Sequence, residues 1–223
     1  MRLFAPIMIL APTAGLASAQ QIVNDPDADT HVPHPAYSQG RGPIIAVDSG
    51  HNNYHTIENR YEPFAALLRN DGLRVVDSST PFAAASLAPF RVLVISNALP
   101  AALVNDWTLP ASSAFSRAEI SAIKGWVLGG GSLLLIADHQ PFAGSARDLG
   151  LAFGFQFQDG VVARDPLDGR PDIFTLADGT LRNDAITRGG NASEAITSVR
   201  SFTGSGFRAP PTARPLMVFP PGS

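Results

Sequence analysis

Two acid–histidine pairs carry most of the chemistry this chain can do, and each stands at the end of a short apolar run. Pro43-Ile-Ile-Ala-Val47 leads into Asp48-Ser-Gly-His51-Asn52-Asn53-Tyr-His55. Ser132-Leu-Leu-Leu-Ile-Ala137 leads into Asp138-His139-Gln-Pro-Phe-Ala-Gly144. A carboxylate beside an imidazole can trade a proton near neutral pH, hold a divalent cation, or bind hydroxyl groups. Three of the five histidines fall in these two segments. His139, Asp138, Asp48 and His51 are therefore the candidate acid–base residues. Asn52, Asn53, His55 and Gly50 are the candidate ligand-binding residues: the amides for hydroxyls or a water, Gly50 for close backbone approach. Asp48-x-x-His51-x-x-x-His55 is also compatible with a metal face, so a divalent ion is the alternative to a site without cofactor. The plainer role for Asp48 and Asp138 is structural, since a carboxylate at a strand end accepts backbone N–H groups and fixes the turn.

These residues need a scaffold, and the apolar runs supply it. Branched aliphatics in runs of five or six, bounded by turn residues, read as buried strands of a parallel sheet. Ligands of open α/β sheets bind beyond the carboxyl ends of such strands. If strands 43–48 and 132–137 are neighbours, Asp48, His51, Asp138 and His139 line one cleft. Between them lie a helix over about 61–71, with Pro63 in its first turn and Phe64, Leu67 and Leu68 as its stripe, and strands at 73–76 and 91–95. Ser116-x-x-Glu119 is a capping box opening the helix of Ile120, Ile123, Trp126 and Val127. Gly129-Gly-Gly131 ends that helix, and 143–153 reads as another. Alternating strands and helices imply right-handed crossovers.

Past about 155 the pattern changes. Asp159-Gly160, Asp168-Gly169 and Asp178-Gly179 are turn signals that suggest short antiparallel strands or a meander, including 172–176. Leu216-Met-Val-Phe219 reads as one more core strand. With only Pro-Pro-Gly-Ser after it, the expectation is a domain over 43–223 that is incomplete at its C-terminus.

The first residues read as a targeting segment. Met1-Arg2, an apolar stretch to Pro12, and Ala17-Ser18-Ala19 make a signal peptide over 1–19, which implies a periplasmic or secreted bacterial protein. Residues 20–42 form a polar, extended leader, with His31 and His34 as an exposed pair. The net charge is −3, or −4 once Arg2 is removed with the signal. That excludes the basic footprint of nucleic-acid binding and of anionic membranes. No segment suits membrane insertion. With no cysteine, thiol chemistry and disulfides are excluded. The chain has no G-x-S-x-G elbow, P-loop or dinucleotide fingerprint.

At Ile-Ala-Val-Asp-Ser-Gly-His-Asn-Asn-Tyr-His and Gly-Gly-Gly-Ser-Leu-Leu-Leu-Ile-Ala-Asp-His-Gln-Pro-Phe-Ala-Gly, the chain resembles the class I glutamine amidotransferase-like superfamily. It is most similar to secreted bacterial members of the DUF4350 kind. The resemblance covers about 43–157. Asp184-Ala-Ile-Thr-Arg-Gly189 is similar to a His-Pro-Ile-Thr-x-Gly stretch of ThuA-like proteins, with Asp184-Ala185 in place of His-Pro. The resemblance implies a flavodoxin-like three-layer sandwich, mostly parallel, with an antiparallel C-terminal elaboration. It places the site at the turn of Asp138 and His139, where true amidotransferases carry a cysteine nucleophile. Glutaminase activity is not carried over. The leading expectation is a non-glutaminase domain that binds a small polar ligand such as a carbohydrate. The rivals are a hydrolase using His/Asp or metal-assisted chemistry at the same residues, and a scaffold without ligand.

Overall fold

A computed structural model of the chain describes residues 24–163, 171–201 and 204–219. The signal-peptide reading and the Asp168-Gly169 turn lie outside the described residues. In order, the core comprises β1 (Ile44–Asp48), α1 (Glu62–Asn70), β2 (Arg74–Ser78), α2 (Ala84–Leu87), β3 (Val92–Ser96), α3 (Arg117–Leu128) and β4 (Ser132–Ile136). The four strands form one sheet in the order β2-β1-β3-β4, and every pairing is parallel. This is an α/β fold. The order reverses direction after β1, so the topological switch point lies between β1 and β3. β1 and β4 are not neighbours, because β3 lies between them.

Strand alternation sorts the core into two layers. Ile45 and Val47 of β1 and Val94 of β3 pack with Ala65 of α1. Ala46, Leu93 and Ile95 face the other way, onto Leu87 of α2 and Ile123 of α3. Asp48 shares the parity of Ala46 and ends β1 on the α3 side. Ser96 shares the parity of Val94 and ends β3 on the α1 side. That difference of one residue separates the two chemistries described below. Burying such side chains contributes about 1.5–3 kcal/mol each.

Local signals explain the helices. Pro63 sits in the first turn of α1, whose inward residue is Ala65, while Leu67 is 39% exposed. The Ser116 hydroxyl accepts from Glu119 N, and Glu119 Oε2 accepts from Ser116 N at 3.0 Å, closing the capping box of α3. Gly130, at φ +102°, makes the turn into β4. The single helix expected over 143–153 is instead two short ones, α4 (Phe142–Ser145) and α5 (Arg147–Leu151). Gly144 and Gly150 weaken helix propagation, and Gly144 is pressed against Asp159 and Ala111.

The C-terminal elaboration holds β5 (Gln156–Phe157), β6 (Asp172–Thr175), the single turn α6 (Ala185–Arg188), β7 (Ser198–Ser201) and β8 (Phe207–Arg208). Its antiparallel pairs are β5 with β8 and β6 with β7. These partners are distant in sequence, so among the described residues the pairs do not follow as successive hairpins of a meander. Asp178-Gly179 is a turn, with Gly179 at φ +74° and Asp178 Oδ1 accepting from Thr180 N. Leu216–Phe219 is not a core strand. Met217 makes one isolated bridge to Leu181, and Phe219 packs edge-on to Phe174. Its apolar residues cover the elaboration rather than extending the parallel sheet. Residues 24–42 have no helix or strand and run along α1, where Asn70 Nδ2 donates to Thr30 O and Ala36 N donates to Asp71 Oδ1. His31 and His34 are exposed there. Among the described residues, no helix is long and apolar enough to cross a membrane.

Candidate functional site

The loop after β1 turns inward at once. Asp48 is fully buried, and its carboxylate accepts from Gly50 N at 3.1 Å, Asn53 Nδ2 at 3.0 Å and His51 Nδ1 at 2.9 Å. The other imidazole nitrogen, Nε2, donates to Glu119 Oε1 at 2.9 Å. Phe82 stacks on the ring at 4.7 Å, and Phe115 lies against it at 4.9 Å. Both nitrogens are thus engaged, and His51 is 8% exposed. Burial acts to lower its pKa, but Asp48 and Glu119 together outweigh burial and raise it. Glu119 is held at about 2: its burial works against ionisation, and hydrogen bonds from Ser116, His51 and Phe82 N overcome that. Asp48, His51 and Asn53 therefore form an ionic clasp that ties the end of β1 to the start of α3. Gly50 belongs to the same packing, since a Cβ there would lie 2.9 Å from Ser79 O. The close backbone approach at Gly50 is to its own chain.

The switch-point crevice between β1 and β3 is stitched shut. His51 O accepts from Leu99 N, Asn97 O accepts from Tyr54 N, and Asn53 Nδ2 reaches Ser96 O. Asn52, at φ +48°, donates from its side chain to Leu99 O. Asn97 is the hub. It is 1% exposed at φ +49°, and its Oδ1 accepts from Asp138 N at 2.9 Å. Asparagine tolerates this left-handed conformation better than most residues. One residue thereby links the loops after β1, β3 and β4, through its backbone carbonyl to Tyr54 N and its side chain to Asp138 N.

That linkage brings His55 and Asp138 to the same place, on the α1 side of the sheet. His55 Nδ1 lies 3.0 Å from Ser96 Oγ, and Ser96 Oγ donates to Tyr61 Oη at 3.1 Å. The His55 ring stacks flat on Tyr61, 4.8 Å away and 6° from parallel. Burial lowers the His55 pKa, Arg60 lowers it further, and Asp138 pulls it back up. The Tyr61 hydroxyl is raised by burial, with Asp138 adding to the shift against Ser96. The Arg60 guanidinium lies 3.8 Å over the Tyr54 ring. Tyr54 contacts His55 at 5.3 Å and Phe142 at 5.6 Å. Phe142 in turn meets Trp107 at 5.3 Å and His139 at 5.8 Å. His139 Nδ1 lies 2.6 Å from Gln140 O, and Trp107 is 47% exposed.

The predicted residues thus divide into four groups. Asp48, His51, Asn53 and Gly50 form the clasp, Asn52 donates to Leu99 O, His55 lies within the electrostatic reach of Asp138, and His139 joins Trp107. In the sequence Glu119 reads as a local cap only, because its partner His51 lies 68 positions away. Ser96, Asn97, Tyr61, Arg60 and Trp107 carry no motif and become visible only through the fold. Among the described residues, no cluster of three or more His, Asp or Glu side chains is arranged to hold a metal ion. A separate cavity of about 860 Å³ opens in the C-terminal elaboration, lined by apolar residues such as Phe155, Phe174, Phe207 and Met217, and contains none of these residues.

No family model and no curated protein matches the chain. Among solved structures it is similar to the mmIFT52 N-terminal domain, with a TM-score of 0.56 and 13% identity over 78% of this chain and 72% of that one. At that identity the likeness concerns the fold.

Proposed function

We propose that this is a secreted or periplasmic, amidotransferase-like domain without glutaminase activity, which binds a small polyhydroxylated ligand such as a sugar at the strand ends. The observation that carries the reading is a connected run of ring contacts at the strand ends, Tyr61–His55–Tyr54–Phe142–Trp107–His139, in which buried Phe142 supports Trp107, 47% exposed, with Asp138 and Arg60 beside it. Aromatic faces take the apolar C–H face of a sugar ring, while charged and amide groups at the rim bond its hydroxyls. The absence of cysteine removes the amidotransferase nucleophile. A hydrolase at the same place would use His55 or His139 as its base, since both nitrogens of His51 are already bonded, whereas His139 bonds Gln140 O through Nδ1. Trp107 makes the reading testable by fluorescence. In a Trp126→Phe background, neutral methyl glycosides should shift Trp107 emission saturably. A flat response across mono- and disaccharides overturns the proposal.

A further inference from the structure

Two antiparallel seams frame the cavity of the C-terminal elaboration. On one side β5 pairs with β8, while Val162 N and Gln158 N donate to Gly204 O and Gly206 O. On the other, Val218 N donates to Thr180 O, Arg182 N donates to Leu216 O, and Met217 bridges Leu181. Backbone bonds hold both walls, so the concavity is built before any ligand arrives. Its volume of about 860 Å³ falls in the range of roughly 300–1,000 Å³ typical of small-molecule sites. Phe174, 2% exposed, and Phe207, 53% exposed, both line it, so the space runs from the interior to solvent. Phe219 meets Phe174 edge-on at 5.1 Å, and Phe155 meets Phe207 edge-on at 5.8 Å, which props the lining rings in place.

The polar groups on these walls are already spent. Gly204 O, Gly206 O and Leu216 O accept the bonds just named. Asp184 Oδ2 pairs with Arg214 Nη1 at 3.0 Å, and Asp184 Oδ1 accepts from Ile186 N. Ser205 Oγ donates to Ala137 O at 2.7 Å, and Ser201 is engaged as well. Among the described lining residues, no charge lacks its counter-ion, and what faces an occupant is aromatic and aliphatic carbon. Ile186 and Met217, both exposed, stand in the same lining, so water wets apolar surface that an occupant would cover. We infer that this cavity is a second binding site, separate from the strand-end surface, and that its ligand is a neutral, apolar small molecule. An ion would leave water there without a counter-charge, at high cost. A concave space also suits a small molecule better than the broad patch through which copies of a chain associate.

Titration of the full chain with N-phenyl-1-naphthylamine, a neutral fluorophore that brightens in apolar surroundings, tests this without reference to sugar binding. The expected result is saturable binding of about one probe per chain. Decanol should displace the probe, and decanoate at pH 7.5 should need at least about tenfold more to do so. Met217→Asp and Ile186→Asp put a carboxylate on the lining at positions exposed enough for the fold to tolerate it. Each should weaken probe binding at least about tenfold while circular dichroism stays that of the parent. Trp107→Ala should leave probe binding unchanged. Non-saturable binding, decanoate as effective as decanol, or full affinity in both Asp variants overturns the inference. A chain that self-associates and excludes the probe overturns it too.

Discussion

Glu119→Gln tests the clasp that fixes the loop after β1. The isosteric amide keeps Oε1 as acceptor for His51 Nε2–H and Phe82 N–H, and loses the charge. Its NH₂ must then face Ser116 N–H, a donor opposite a donor. The Glu119 side chain is 13% exposed, so solvent screens it little. Its pKa falls from 4.5 in the unfolded chain to about 2 when folded. That difference corresponds to about 3 kcal/mol at neutral pH, and the hydrogen bonds the amide retains reduce the expected loss to about 2 kcal/mol. The sign follows from a depressed carboxylate: its stabilisation is complete above pH 4.5 and fades as the pH falls toward 2. Urea unfolding followed by circular dichroism should show the full gap between parent and variant near pH 6, shrinking to under half by about pH 3. A double-mutant cycle with His51→Gln should give a coupling of about 1.5–3 kcal/mol, the range for hydrogen bonds to charged groups. A gap below about 0.5 kcal/mol at pH 6, or one unchanged in acid, would refute the clasp.

Three further outcomes follow from the same geometry. Asn97→Ala removes the acceptor for Asp138 N and leaves a non-glycine residue at φ +49°; it should cost about 2 kcal/mol in denaturant unfolding and change the Asp138 backbone amide shift. The two loop histidines should affect stability with opposite pH signs. The raised pKa of His51 makes its contribution complete below pH 6.5 and lost as the pH rises through the folded value. The lowered pKa of His55 makes its contribution complete above 6.5 and lost on acidification. Unfolding titrations of His51→Gln and His55→Gln against the parent should show losses removed on opposite sides of neutrality. Trp107→Ala should leave stability within about 0.5 kcal/mol, because the side chain is half exposed, yet lower glycoside affinity at least about tenfold.

Much of the scaffold was legible in the chain because its signals are local. The runs at 44–48 and 132–136, Pro63, the Ser116–Glu119 box and the glycines at 129–131 each act within a few residues, and each marks the element expected. Strand order is not local. Nothing in the apolar runs reveals that β3 inserts between β1 and β4, so one shared cleft for both acid–histidine pairs was the natural expectation. The parity of the last strand residue then decides the rest. Asp48 ends on the α3 side and is consumed by His51, Asn53 and Gly50, whereas Ser96 ends on the α1 side and meets His55. The elaboration was less legible still, because short strands such as β5 and β8 take their partners from some fifty residues away. Turn signals mark where the chain bends, and leave open which strand it bends toward.

The central claim is that the aromatic surface at the strand ends binds a polyhydroxylated ligand, and amide chemical-shift mapping tests it most directly. On titration with methyl glycosides, the predicted result is saturable shifts confined to residues near Tyr54–Tyr61, Asn97, Trp107 and Asp138–Phe142. Shifts centred on the apolar cavity around Phe174 and Met217 of the C-terminal elaboration, or none anywhere, would contradict it.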